Sequence, residues 1–236
     1  MFRFFLCFPQ VLPYNDFMIN TVIFDMDGLL VDSEKAFLET YNELLDAYGY
    51  SLSKDTYLER YCGKIVKENA ASIVRDYHLD IDPETFCKML IETEARKANA
   101  GYDLKPGAKE LLDYLKARGY KIVLATSSLE DRALTLVKQA GVLDYFDAMI
   151  CGKDVKLGKP HPDVFLKAMD AVSSGNTESL VLEDSLTGVE AAVNAQVPVI
   201  IVPDMVPVDE THAAMVLRVC DSLYDVIDYL ENGQQQ

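Results

Sequence analysis

Five short apolar runs punctuate the chain: Thr21–Asp25, Lys121–Ala125, Asp147–Cys151, Ser179–Glu183 and Pro198–Val202. None alternates cleanly between apolar and polar positions, as expected for strands of a parallel sheet covered on both faces. Helical spacing fills most of the intervals. Ala108, Leu111, Leu112 and Leu115 share one face, between Pro106 as a start signal and Gly119 as a stop. Ala133, Leu136, Val137 and Ala140 repeat the pattern and end at Gly141. Val164, Phe165, Ala168, Met169 and Val172 form another such face, and Leu223, Val226, Ile227 and Leu230 a last one. Strand and helix in alternation predict an α/β fold, a Rossmann-like doubly wound parallel sheet.

One interval breaks the rhythm. After the run at Thr21–Asp25 the next begins only at Lys121, far more chain than a crossover needs. The interval reads as helical. Phe37, Thr40, Tyr41, Leu44, Leu45 and Tyr48 keep i, i+3, i+4 spacing, as do Val66, Ala70, Ile73, Val74 and Tyr77. Asp82-Pro83 then predicts a capped start for a helix through Phe86, Met89, Leu90 and Thr93. The expected organisation is a core of residues 18–33 and 102–236, with a helical-bundle cap, 34–101, inserted after the first strand. Such an insertion stands above the carboxyl edge of the sheet and is placed to act as a lid.

Residues 1–17 change little. Phe4-Phe5-Leu6-Cys7-Phe8 follows Arg3 but stops at Pro9, short of a signal-peptide core, and no small-residue cleavage site follows. These residues are expected to be a disordered extension, with Met18 opening the working protein. No run reaches transmembrane length, so a cytoplasmic protein without membrane contact is expected. The formal charge is −16, which argues against nucleic acid as a partner and requires a local cation for any anionic substrate. Five scattered cysteines, none in a C-x-x-C pair, indicate reduced thiols, and three isolated histidines show no metal-ligand spacing.

Candidate chemistry gathers where the apolar runs end. Asp25-Met26-Asp27-Gly28 puts two carboxylates at i and i+2 on the edge where open α/β sheets bind ligands. Alone this is equally a turn or a helix cap. As a pair, the acids suit phosphoryl transfer: one attacks phosphorus, one carries a proton, and a divalent cation screens the charge. Thr126-Ser127-Ser128 follows the second run, where hydroxyls and amides grip phosphate, or where one residue simply caps a helix. Gly158-Lys159-Pro160 presents an ammonium from a restricted loop, able to neutralise phosphoryl oxygens and nucleophile together. Glu183-Asp184 ends the fourth run. With Asp25 and the Asp27 carbonyl these hard oxygens suit Mg²⁺, although Asp184 could instead cap the helix that follows.

In order and placement these motifs resemble the haloacid dehalogenase-like hydrolase superfamily, within it the group of β-phosphoglucomutase and small sugar-phosphate phosphatases. The resemblance runs from about Met18 to Leu230. It implies Asp25 as the nucleophile that forms an aspartyl-phosphate, and Asp27 as general acid and then base. It also implies Thr126 with Ser127 at the phosphoryl group, Lys159 for charge, and Mg²⁺ held by Asp25, Asp27, Glu183 and Asp184. Dehalogenases of the superfamily lack the second acid, so Asp27 points away from dehalogenation. Ser33 also matches the mutase, but three positions depart from it: Phe37 stands where a histidine is common, Glu130 replaces a phosphate-contacting asparagine, and no arginine follows Gly63. The expectation is a monomeric Mg²⁺-dependent phosphatase of a small phosphorylated metabolite, a sugar phosphate, with a mutase as the alternative and a catalytically idle binding relative third. Arg60, Lys64 and Lys67, on cap segments with Phe37 and Tyr41, are candidate substrate contacts.

Overall fold

The computed structural model describes residues 18–62 and 66–232. The extension expected over residues 1–17 lies outside the described residues, as does Lys64. Six parallel strands form one sheet: β1 (Thr21–Phe24), β2 (Lys121–Ala125), β3 (Ala148–Ile150), β4 (Ser179–Glu183), β5 (Val199–Ile201) and β6 (Arg218–Val219). Their order is β3-β2-β1-β4-β5-β6. The first five coincide with the apolar runs. β6 is new: its two residues are exposed and pair only with β5 at the sheet edge, so no apolar run announces it.

Neighbouring residues of each strand feed opposite layers, which explains the absence of polar alternation. Val22, Phe24, Ile122, Leu124, Leu180 and Leu182 pack with α5 (Ala108–Ala117), α6 (Glu130–Gln139) and the C-terminal helix α9 (Leu223–Asn232). Ile23, Val123, Val181, Val199 and Ile201 pack on the other face with α7 (Asp163–Ala171) and α8 (Leu186–Asn194). Burying each such side chain contributes roughly 1.5–3 kcal/mol, so the strand ends stand on the stiffest part of the molecule.

From β1 the chain moves to β2 and β3 on one side, then recrosses to lay β4 on the other. The crevice outside the carboxyl ends of β1 and β4 is therefore the topological switch point, where open sheets bind ligands. Asp25 follows β1, and Glu183 ends β4 in register with Ile201.

Between β1 and β2 lie α1 (Ser33–Asp46), α2 (Lys54–Arg60), α3 (Val66–Asp76) and α4 (Pro83–Ala100). They share an apolar cluster of their own, including Tyr41, Leu45, Tyr57, Tyr61, Ile73, Phe86 and Leu90. Asp82 caps α4 as expected, its Oδ1 accepting from the Glu84 and Thr85 amides, both at 3.0 Å. α2 buries only Tyr57, too little apolar surface to give a helical period. The outgoing and returning strands of chain are stitched together by Asp32 N to Asp103 O (2.9 Å), Lys105 N to Leu30 O (3.0 Å) and an antiparallel bridge between Val31 and Leu104. Among the described residues, no helix is long and apolar enough to cross a membrane.

Candidate active site

The floor of the crevice is a buried charge cluster. Lys159 Nζ, 8% exposed, donates to both Asp25 Oδ1 and Glu183 Oε1. Glu183 is fully buried, and its other oxygen accepts from the Asp184 and Ser185 amides (both 3.1 Å) and from Ser185 Oγ (2.9 Å). That geometry demands Gly188, because a Cβ there would sit within about 2 Å of the Glu183 carboxylate. Ser185, not Asp184, caps α8: its Oγ accepts from Gly188 N at 3.1 Å, which leaves Asp184 for other work. Burial raises Asp25 to about 7, against the pull of Lys159 and with Glu183 and Asp27 adding to it. Asp184 is pushed well up by burial and by the Glu183 and Asp25 charges. Burial disfavours the Lys159 ammonium, but Asp25 and Glu183 outweigh it and its pKa is raised.

Asp25, Glu183 and Asp184 each bring one carboxylate oxygen to within 4.8 Å of the others. Three acids around one ammonium leave an uncompensated negative charge, and hard oxygens at that spacing fit a divalent cation. Gly28 makes room for the Asp184 carboxylate. It has φ +82°, and a Cβ there would lie 2.2 Å from Asp184 Oδ2. Glu183, expected among the ligands, belongs to this group of acids, and both its oxygens also carry hydrogen bonds.

Asp27 faces a different environment. Both of its oxygens accept from Arg132 Nη1 at 2.9 Å, and Oδ2 also accepts from Ser128 Oγ at 2.8 Å. Arg132 continues to the inserted helices, donating from Nε to Glu94 Oε1 of α4 at 2.8 Å, where Tyr102 Oη also donates at 3.0 Å. Burial works against the guanidinium, yet Asp27 and Glu94 raise its pKa further. Beside this chain lies a cavity of about 390 Å³, lined by Phe37, Thr40, Tyr41, Leu90, Ile91 and Leu129 together with Asp27, Ser128, Arg132 and Glu94.

Sequence reasoning missed Arg132 and Glu94. A cation in the first turn of α6, against the helix dipole and after Glu130 and Asp131, was the available signal. Thr126 is buried below the crevice, and its Oγ1 accepts from Ser128 N at 3.0 Å rather than capping α6; Ser127 is exposed. Arg60 pairs with Asp76 at 2.7 Å, and Lys67 is exposed on α3. Neither lines the cavity, whereas Phe37 and Tyr41 do. Phe37 carries the Arg132 guanidinium 5.7 Å from its ring centre, and Glu130 pairs with Lys153.

A family model described as haloacid dehalogenase-like hydrolase matches residues 22–202, which covers every strand of the crevice and the whole insertion. The chain belongs to the haloacid dehalogenase-like hydrolase family. Among its curated relatives is the phosphorylated carbohydrates phosphatase of Thermotoga maritima, 32% identical over 75% of this chain and 82% of that one. The mitochondrial (DL)-glycerol-3-phosphatase 1 of Arabidopsis thaliana is 32% identical over 88% of this chain and 71% of its own length. A solved haloacid dehalogenase family hydrolase from Deinococcus radiodurans R1, with phosphate and sodium bound, superposes with a TM-score of 0.80. It covers 93% of this chain and 98% of that one at 24% identity, a likeness of fold.

Proposed function

We propose that this family member is a Mg²⁺-dependent phosphatase of a small phosphorylated metabolite, with a sugar phosphate as the favoured class. The observation that carries the reading is the Lys159 ammonium locked between Asp25 and Glu183, with a carboxylate oxygen of Asp184 within 4.8 Å of theirs. The phosphatase names of the two relatives support it.

Asp25 attacks phosphorus, forming a carboxylate O–P bond as the ester P–O bond breaks. Once substrate displaces its Arg132 contact, Asp27 takes up a proton from solvent, gives it to the departing alkoxide, then takes one from the water that releases phosphate and restores Asp25. Lys159 pulls Asp25 toward its ionised form, keeps it in line, and neutralises oxygens of the phosphoryl group. Thr126 keeps its hydroxyl hydrogen free to donate to a phosphoryl oxygen, since its Oγ1 only accepts from Ser128 N. Mg²⁺, held by Asp25, Asp184 and the Asp27 carbonyl, would screen the repulsion between these acids and the substrate. The helical insertion acts as the cap over the crevice, and the cavity beside Asp27 takes the leaving group.

Hydrolysis is preferred to a mutase reaction because a mutase must also grip a second phosphate. Among the described residues lining the cavity, the one cation is Arg132, already matched by Asp27 and Glu94. Phosphate release should be measured across sugar, polyol and nucleoside phosphates, with Mg²⁺ and with a chelator. Release that depends on Mg²⁺ is expected. No release from any substrate, or release undiminished by the chelator, would contradict the reading.

A further inference from the structure

Asp204 stands three residues beyond β5, on the Asp184 side of the crevice. Its side chain is only 8% exposed, and Lys105 Nζ holds Oδ1 at 2.6 Å. The second oxygen, Oδ2, is buried without a hydrogen-bond partner. Leaving a buried carboxylate oxygen unpaired is costly, so such an atom signals an absent donor. Its direction identifies the donor. The space that a Cβ on Gly28 would fill lies 3.3 Å from Asp204 Oδ2 and 2.2 Å from Asp184 Oδ2. Without a Cβ at Gly28, the Asp184 carboxylate packs against that backbone, and the unpaired Asp204 Oδ2 lies beside it, one acid of the proposed cation cluster next to a second acid outside it.

Direct ligation and hydration make different demands. Mg²⁺ gives up its water reluctantly and is bound through one or two carboxylates with several waters retained. Asp25 and Asp184 already fill the direct role, whereas Asp204 lies outside the group of mutually close acids. A water molecule donates hydrogen bonds, which is what the unpaired oxygen lacks.

Building on the metal-dependent reading above, we infer that Asp204 is the outer-shell anchor of the cation, its Oδ2 accepting from the ion's hydration water beside Asp184 while Lys105 neutralises the other oxygen. Lys105 belongs to the segment returning from the helical insertion, where its amide bonds Leu30 O. The anchor thus ties the ion's hydration shell to that segment.

The test is Mn²⁺ binding to the full chain, read from the loss of the free-ion EPR signal and therefore independent of turnover. Removing an outer-shell partner costs about 10–100-fold in metal affinity. Asp204→Ala should weaken Mn²⁺ binding by about tenfold or more, and Asp204→Asn, which keeps shape and one acceptor, by less. Lys105→Met removes the same ion pair but leaves the carboxylate, so it should lower the melting temperature without a comparable loss of Mn²⁺ affinity. If the two Asp204 variants bind Mn²⁺ as the parent does, or if Lys105→Met weakens binding as much as Asp204→Ala, the pair is structural and the inference fails. Should the parent chain itself bind no Mn²⁺, the cation site fails and its anchor with it.

Discussion

The two acids of Asp25-Met26-Asp27 sit two residues apart yet live in unlike surroundings. Asp25 is fixed within the sheet core, where its partners Lys159 and Glu183 are almost wholly buried. Asp27 belongs to a boundary: Arg132 and Glu94 are about one-fifth and one-eighth exposed, at 19% and 13%, and the second comes from the inserted helices. In the proposed reaction, the side that would break and form bonds to phosphorus is built on fully buried strands. The side that would move a proton is shared with the inserted helices. A scaffold of this kind can keep its chemistry while the cavity beside Asp27 changes.

Breaking the Asp25 side should have the largest effect. Asp25→Asn should abolish phosphate release while circular dichroism shows an unchanged fold. Appreciable turnover in a clean preparation would show that another group is the nucleophile. On the boundary side, Asp27→Asn should lower kcat by about 10²–10⁴-fold, the usual worth of a general acid–base. An unchanged rate would move the proton transfer elsewhere.

Arg132 sharpens the contrast. Losing it frees Asp27 from its only cationic partner among the described residues, and a misplaced group of this kind costs up to about 10²-fold. Arg132→Ala should therefore lower kcat by about 10–100-fold, and it should also lower the melting temperature, because Asp27 and Glu94 are left unpaired. Arg132→Lys should recover little, because one ammonium lacks the fork that reaches Asp27 and Glu94 together. Glu94→Gln should have a smaller effect of the same kind. Equal activity of all three would make the Arg132 bridge incidental.

The smallest effect is a pH dependence. Burial, opposed by Lys159, raises Asp25 to about 7 in the metal-free chain, so a proton must leave before the carboxylate can hold a cation. Mg²⁺ affinity should rise with pH as Asp25 and Asp184 lose their protons, by about tenfold per pH unit for each proton released. Without metal the sign reverses for stability: the folded state binds the extra proton, so the Asp25 contribution is largest in acid and declines as pH rises to about 7. Calorimetric titrations across this range that show a flat affinity would contradict the assignment.

What could be read from sequence follows the same division. The Asp25 side was legible because its acids and hydroxyl end or follow apolar runs, Asp25 after β1, Thr126 after β2 and Glu183-Asp184 at β4, while Lys159 is marked by the Gly and Pro on either side of it. The sheet was legible for the same reason, since two-sided burial writes continuous apolar runs, while the exposed pair Arg218–Val219 writes nothing. Arg132, Glu94 and Asp204 sit inside no motif. Their roles arise from contacts between elements far apart in the chain, which local periodicity does not encode. Arg60 shows the converse: a cation on a cap segment is drawn to Asp76 by its nearest acid rather than to the crevice.

The most direct test is a crystal structure of the full chain grown with Mg²⁺ and beryllofluoride, which mimics a phosphorylated carboxylate. The account predicts the fluoride group bonded to an oxygen of Asp25, Lys159 against its fluorines, and the ion between Asp25 and Asp184. A group bound elsewhere, or a crevice with neither adduct nor ion under saturating conditions, would contradict it.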